Sequence, residues 1–525
     1  MKKQAIRLEQ PILYQPGLNQ KNEAVISAHF MDKINQNLGL RLYTDSEFSG
    51  CALTVTSEWL FNGLIPSLLQ ASEHFVLERV AAVKIRARKN FKEYGLNTAN
   101  QVGVSEIIAE TMFDRQFLKG PKSNYSRLIL AQNIKELVRK QQPIKMVIPA
   151  LPYKSTSPLK TRGVMPDLSE VNFLLCLAEV AKTIALIYSE ETTIPQEALA
   201  KFTVISDGSR FNSFLNEPIE MIHAYQEKLH WWIDKLNVSN YVEVLDYHDV
   251  MKRLLPKEQY FRKQEIREKV LHLYTELMMP IFNPYAIQQM FSKAIELDPD
   301  PETNNVEGRF IPLFKSLIYT VRYKSLLNYA QVYGKNYFDL YTEIIRHIFQ
   351  PYVVLKPNDI EHIKAYMETP QRQLNNPTHH LEYLRQLMLQ EAWQAAINYI
   401  AEIRGDRDLS HDPIVTCFPE FIRWTIHAKL GQLAILTTTG IGDPVQPWQG
   451  AAVFKLTSNN KIKLYTLPAL LLEGTGAIPV LLAPEQKQSA GVNQPLFYIN
   501  LDITFKDSDD LLHQITRSLT RKRKL

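Results

Sequence analysis

Two stretches of this 525-residue chain hold side chains that can move protons or bind anions at close spacing. The first reads Pro149-Ala150-Leu151-Pro152-Tyr153-Lys154-Ser155, then Lys160, Arg162 and Gly163, then Pro166-Asp167-Leu168-Ser169-Glu170. A lysine in a protected site acts as a base or forms an imine with a ketone. Asp167 and Glu170 have the spacing of a helix N-cap and its capping-box partner. A helix that starts there offers free N–H groups and a positive dipole end, which attract a substrate phosphate or carboxylate. Lys154, Lys160 and Arg162 precede it and supply further positive charge. Asp207-Gly208 is either a turn pair or a carboxylate at a ligand crevice.

The second stretch is Phe421–His427, whose alternation reads as a strand. Alternate residues of a strand share a face. Arg423, Thr425 and His427 then point one way, and Ile422, Trp424 and Ile426 the other. A cation, a hydroxyl and an imidazole on one face suit a polar pocket, with His427 as general acid/base. The plainer reading is the solvent face of a half-buried sheet.

Metal and cofactor chemistry find no support in spacing. His379 and His380 are adjacent, so a helix does not turn them to one face. Cys51, Cys176 and Cys417 are odd in number and far apart, which fits neither a disulfide framework nor a CxxC site. Cys176, in an apolar run, reads as core. Gly474-Thr475-Gly476 falls short of a dinucleotide fingerprint. No metal and no cofactor are expected.

These groups need a scaffold. Ser126–Lys140 reads as a helix. Ile144–Ile148, Phe202–Ser206 and Tyr241–Leu245 read as buried strands. Between them, Leu168–Tyr188 carries apolar residues at the spacing of one helix face, and Pro218–Leu236 is a second helix. That order implies an α/β fold with a Rossmann-like parallel sheet flanked by helices. Ligands in such sheets bind beyond the carboxyl ends of the strands, where Lys154, Asp207 and Asp246-Tyr247-His248 fall. The chain divides into an extension (1–104) with no functional reading, though His74–Lys89 is helix-like, and a Rossmann-like core (105–260). A mainly helical segment (261–418) follows, then a strand-rich part (419–525) that completes the active site. Within the helical segment, Gln264–Met278, Phe310–Gln331 and His380–Arg404 read as helices, and Asp298–Glu307 and Glu368–His379 as loops. Leu433–Thr437 reads as a strand in the last part.

Sixty basic residues stand against 55 acidic ones, a net charge of +5. That balance is too slight to argue for nucleic acid. No apolar run approaches membrane-spanning length, and the N-terminus lacks an apolar signal core. A soluble, cytoplasmic protein is expected. The basic end, Thr516 to Leu525, reads as a solvated terminus.

The blocks from Val147 to Phe211 also resemble a known family. IPALPYKS, the PDLSE helix start and VISDGSRF are similar to motifs of the pyoverdine/dityrosine biosynthesis family, whose bacterial members are isocyanide (isonitrile) synthases. Ile422–His427 resembles that family's Ile-Arg-x-Ser/Thr-Ile-His strand. Pro447-Trp448-Gln449-Gly450 resembles its Pro-Trp-His-Gly turn, with Gln449 in place of His. The resemblance implies that the α-amine of tyrosine or tryptophan condenses with ribulose 5-phosphate. Cleavage of the sugar then leaves one carbon on nitrogen as the isocyanide. It implies no cofactor, and a neighbouring iron/2-oxoglutarate oxygenase as a downstream partner. Lys154, Asp167, Glu170, Asp207 and His427 become the catalytic candidates. Ser155, Lys160, Arg162, Arg423, Thr425, Lys429 and Trp448 become the substrate-binding ones, with Arg423 and Lys429 for a second anion. The chain's length resembles the fungal branch, which implies an N-formyl amino acid as the alternative product. A non-catalytic binding protein on a degenerate synthase domain is the third reading. On the catalytic readings, Lys154→Ala or Arg423→Ala is expected to abolish product and leave the melting temperature unchanged.

Overall fold

A computed structural model describes residues 43–45, 50–55, 59–92, 102–119, 127–154, 164–212, 217–275, 355–369, 375–407, 412–426, 433–437, 446–456, 462–467, 477–482 and 495–500. Strands β1 (Tyr43–Asp45) and β2 (Gly50–Val55) come first, followed by helices α1 (Ile65–Lys92), α2 (Val104–Met112) and α3 (Arg127–Arg139). Then β3 (Ile144–Pro149), α4 (Leu168–Tyr188), β4 (Ala200–Ser206), α5 (Ile219–Lys235), β5 (Val242–Asp246) and α6 (Tyr247–Leu254) alternate. Helices α7 (Lys257–Thr275), α8 (Pro357–Glu368), α9 (Pro377–Arg407) and α10 (Pro413–Cys417) follow. The described chain closes with β6 (Ile422–Thr425), β7 (Leu433–Ala434), β8 (Ala451–Leu456), β9 (Ile462–Leu467), β10 (Ala477–Leu482) and β11 (Pro495–Asn500).

The chain forms two compact units. The first comprises residues 1–209, 219–254 and 414–525, and the second residues 210–218 and 255–413. The first unit is built from three separate stretches of sequence.

Its first sheet runs β5-β4-β3-β6-β7 among the described residues, and every neighbouring pair is parallel. In that order the chain moves outward from β3 in one direction, then outward from β6 in the other. The crevice between β3 and β6 is the point where a doubly wound sheet binds its ligand. Met146, Val147 and Ile148 of β3 are fully buried, as are Phe202, Val204 and Ile205 of β4. Continuous apolar runs of this kind belong to strands covered on both faces.

β6 departs from expectation in two ways. It is shorter than Phe421–His427, and it lies between β3 and β7 in the parallel sheet. Trp424 and Thr425 are both buried although they face opposite ways. The plain reading of one solvent face is thereby replaced by a strand covered on both sides.

α4 differs from the single apolar face read from its sequence. Nearly every residue from Leu168 to Tyr188 is buried, Cys176 included. The helix packs on β4 and β5 on one side, on β8, β9 and β11 of a second sheet on another, and on α1 and α2 besides. Its 21 residues are long and apolar enough for a bilayer by composition, but 89% of the most apolar window is buried in the fold. A helix apolar all round is buried by protein or by membrane, and here protein does it.

The second sheet runs β1-β2-β10-β11-β8-β9. β2, from the N-terminal extension, pairs in parallel with β10, so Leu53 stands opposite Val480. Ala451, Val453, Leu467 and Tyr498 form part of its core.

In the second unit, α7 packs against α9, and α8 also touches α9. Gly405 lets the first two approach: a Cβ there stands 3.0 Å from the Lys263 carbonyl oxygen. Lys263 Nζ, 1% exposed as a residue, reaches Asp406 Oδ1 at 2.6 Å and Glu402 Oε2 at 3.4 Å. Arg210 and Arg267 join the same two carboxylates. Such a network leaves no lone buried charge. The expected helix Phe310–Gln331 and loop Asp298–Glu307 lie outside the described residues.

Candidate active site

The carboxyl end of β3 leads into Ala150, Leu151, Pro152, Tyr153 and Lys154, each buried except the half-buried Pro152. The described chain resumes at Val164, and α4 starts at Leu168. Asp167 is its N-cap, with extended backbone, and Asp167 Oδ1 accepts the Ser169 amide at 2.8 Å. Glu170 Oε2 accepts the Asp167 amide at 2.9 Å, which completes the capping box read from the sequence.

The cap also carries the charge cluster. Lys154 Nζ lies 2.6 Å from Asp167 Oδ2 and 3.3 Å from Glu170 Oε2. Asp167 Oδ2 in turn accepts the Ala452 amide of β8 at 2.9 Å. Tyr225, from the middle of α5, donates its phenol to Glu170 Oε1. The Tyr225 ring meets Tyr153 edge-on, with centroids 5.5 Å apart. Ser169 Oγ and Thr466 Oγ1 lie 3.1 Å apart, and Trp232 Nε1 donates to the Pro166 carbonyl at 3.2 Å. Lys154, Asp167, Glu170, Tyr153 and Tyr225 are all 2% exposed or less.

Burial pushes the Glu170 carboxyl up from 4.5 to about 7. Lys154 opposes that rise, the Asp167 charge adds to it, and the hydrogen bonds from Tyr225 and from the Asp167 backbone oppose it. Burial, and then the Glu170 charge, push the Tyr225 phenol well above its usual 10. A carboxyl that exchanges its proton near neutrality, between an ammonium and a phenol, is equipped for general acid/base work. The positive end of α4 is thus occupied by the protein's own carboxylates. The Ser169 N–H points at Asp167 Oδ1.

The loop bearing Lys154 is pinned to the neighbouring strand end. Ala150 N donates to Ile205 O at 3.1 Å. Leu151 has a φ of 55°, in the left-handed region. Its carbonyl accepts Ser206 Oγ at 2.8 Å. Gln226 Nε2 donates to Ser206 Oγ at 3.1 Å and to Asp246 Oδ2 at 2.9 Å. A Cβ on Gly208 stands 1.7 Å from the Pro152 carbonyl oxygen. Gly208 is therefore required by the close approach of another loop, a reason beyond the turn expected of Asp207-Gly208.

Of the other sequence candidates, Asp207 follows β4 and is half-buried. Arg423 sits beside Val147 in the sheet and donates to the Trp424 carbonyl. Thr425 is buried. Trp448 is buried edge-on to Phe173 of α4, at 6.0 Å between centroids, and so packs the core helix. Gln449 is exposed, and its Oε1 accepts the Gln446 amide at 3.0 Å, closing its own turn. His248 Nε2 lies 3.0 Å from the Ser209 carbonyl. Ser155, Lys160, Arg162, His427 and Lys429 lie outside the described residues. Tyr225, Ser206 and Gln226 were not read from sequence. The available signal was a tyrosine and a glutamine set into the apolar stripe Ile222, Leu229, Trp232 of α5.

Residues 134–306 match the model of a family described as pyoverdine/dityrosine biosynthesis protein. The L-tyrosine isonitrile synthase of Xenorhabdus nematophila is 30% identical over 145 residues, 26% of this chain and 41% of that protein. An L-tryptophan isonitrile synthase of Fischerella ambigua is 26% identical over 145 residues, 26% of this chain and 43% of that protein. The matches thus span under half the length of these relatives. The crystal structure of PvcA from Pseudomonas aeruginosa aligns over 75% of this chain and 99% of its own, with 18% identity and a TM-score of 0.41.

Proposed function

We propose, from the match of residues 134–306 to the pyoverdine/dityrosine biosynthesis protein family, that this chain is an isocyanide synthase acting on an aromatic amino acid. The relatives' names support the reaction class. The observation that carries the proposal is Glu170, a fully buried carboxyl held at about 7 between Lys154, Asp167 and Tyr225 at the ligand end of the sheet.

The chemistry asks for that set. The α-amine of tyrosine or tryptophan adds to the ketone of ribulose 5-phosphate, and loss of water gives an imine. Later steps remove protons next to the imine and cleave the sugar, so that one sugar carbon stays on nitrogen. Each step moves a proton at a carbon, a nitrogen or an oxygen. A group that is half protonated at neutral pH both gives and takes protons. Glu170 is that group. Tyr225 and the Asp167 amide fix its two oxygens. Lys154 offsets the negative charge that appears when Glu170 ionises. Asp167 holds Lys154 and ties the cluster to β8. Asp207, just after β4, and Arg423, in β6, are the further groups assigned to substrate contact, and the Arg423 guanidinium suits a carboxylate. The setting is cytoplasmic, and an iron/2-oxoglutarate oxygenase takes the product onward.

Purified protein incubated with tyrosine or tryptophan and uniformly 13C-labelled ribulose 5-phosphate tests this. The expected product carries one labelled carbon on nitrogen and an infrared isocyanide stretch. The N-formyl product differs by one added water and lacks that stretch, which identifies the alternative reaction. Absence of any labelled amino acid product, with Glu170→Gln behaving as wild type, overturns both.

A further inference from the structure

We propose that Ser206 is the positioning residue for Lys154: its hydroxyl holds the Leu151 carbonyl, which keeps a buried leucine in left-handed backbone and turns the loop to deliver Lys154 to Asp167 and Glu170. This rests on the reading of that cluster as the proton-transfer centre, but its test does not use turnover.

Left-handed backbone is disfavoured for a leucine, because Cβ crowds the following carbonyl. Glycine or asparagine usually occupies such a position. Leu151 is fully buried, so no solvated turn explains it. A strained residue persists only where its surroundings over-determine it. Here they do so on three sides. Ala150 is tied to Ile205 before it, Pro152 is packed on Gly208 after it, and Ser206 binds the strained residue itself. Ser206 is oriented in turn: Gln226 donates to its oxygen, which leaves its proton for Leu151. Gln226 is anchored by Asp246 on the next strand. Three adjacent strand ends, β3, β4 and β5, thus combine to fix one peptide. That peptide lies three residues before Lys154. Relaxing its φ to negative values redirects the chain that follows and withdraws the ammonium from the carboxylates.

The test reads Lys154 through Glu170. Lys154 lowers the Glu170 midpoint, so withdrawing the ammonium raises it. The carboxyl C=O band that disappears in Glu170→Gln, followed by difference infrared spectroscopy against pH on the full chain, gives that midpoint. Ser206→Ala is expected to move it upward, and Ser206→Thr, which keeps the hydroxyl, to return it. Leu151→Gly supplies a residue that accepts a positive φ without strain. In that background Ser206→Ala is expected to have no effect on the midpoint. A hydroxyl that merely satisfies a buried carbonyl gives the same shift in both backgrounds, or none in either, and each result overturns the proposal. If Ser206→Ala alone does not fold, Leu151→Gly/Ser206→Ala must fold with the wild-type midpoint. Failure of both variants to fold also overturns it.

Discussion

Lys154 and Asp167 form an ion pair of 2.6 Å in which both side chains are almost wholly out of water. Burial changes what removing the lysine does. The sequence reading expects Lys154→Ala to spare stability. The structure instead implies that Lys154→Met strands the Asp167 carboxylate in the interior beside a Glu170 that takes up its proton, at a cost of about 3 to 5 kcal/mol. Urea denaturation should show that loss. Lys154→Met/Asp167→Asn should recover part of it, because the stranded charge is gone, while product stays absent in both variants.

Glu170 links stability to pH with a definite sign. Its folded value, about 7, lies above its ordinary 4.5, so the folded state binds the proton more tightly. That contribution is complete below pH 4.5 and is lost as pH rises through 7. It amounts to something on the order of 3 kcal/mol. Wild type should therefore lose stability relative to Glu170→Gln between pH 4.5 and 7, then run parallel to it. His380, lowered by burial to about 4, changes stability in the opposite sense over that range. It is common to both proteins and cancels in the difference.

Tyr225→Phe removes a hydrogen bond that lowers the Glu170 value. The carboxyl should then hold its proton to higher pH. In the pH–rate profile, the limb assigned to ionised Glu170 should move upward, with the amino acid KM changed less than kcat. An unshifted limb sinks the assignment of that limb to Glu170.

Gly208→Ala places a methyl 1.7 Å from the Pro152 carbonyl oxygen. Backbone cannot yield as a side chain does, so the loop must move. The expected cost is about 1 to 3 kcal/mol, with more where the loop resists. Activity per folded molecule should fall as Lys154 is displaced. Thermal melts alongside single-turnover rates separate the two effects.

Much of this centre was legible in the sequence because it is local. The Asp167-Glu170 capping box and the helix from Leu168 to Tyr188 depend on neighbours in the chain, and both are present. So are the three strands that alternate with helices. What sequence did not reveal depends on crossovers. Tyr225 meets Glu170 only because α5 returns beside α4, and Ser206 meets Leu151 only because β4 pairs with β3. The burial of α4 on all sides needs a second sheet built partly from residues 50–55, whose pairing with 477–482 leaves no local signature. The Leu151 backbone angle belongs to this class too: nothing in Ala-Leu-Pro demands it.

The bond from the Ala452 amide to Asp167 spans 285 residues. At translation rates of about 5–20 residues per second, the acid waits roughly 14 to 57 s for that partner to be synthesised. Until then α4 and the sheet beside it emerge with one side uncovered, and Lys154 and Asp167 lack the strand that closes over them. The nascent chain therefore carries the apolar helix α4 partly uncovered through that interval. Premature stops before β8 should yield a chain that chaperones retain, with no partly working form.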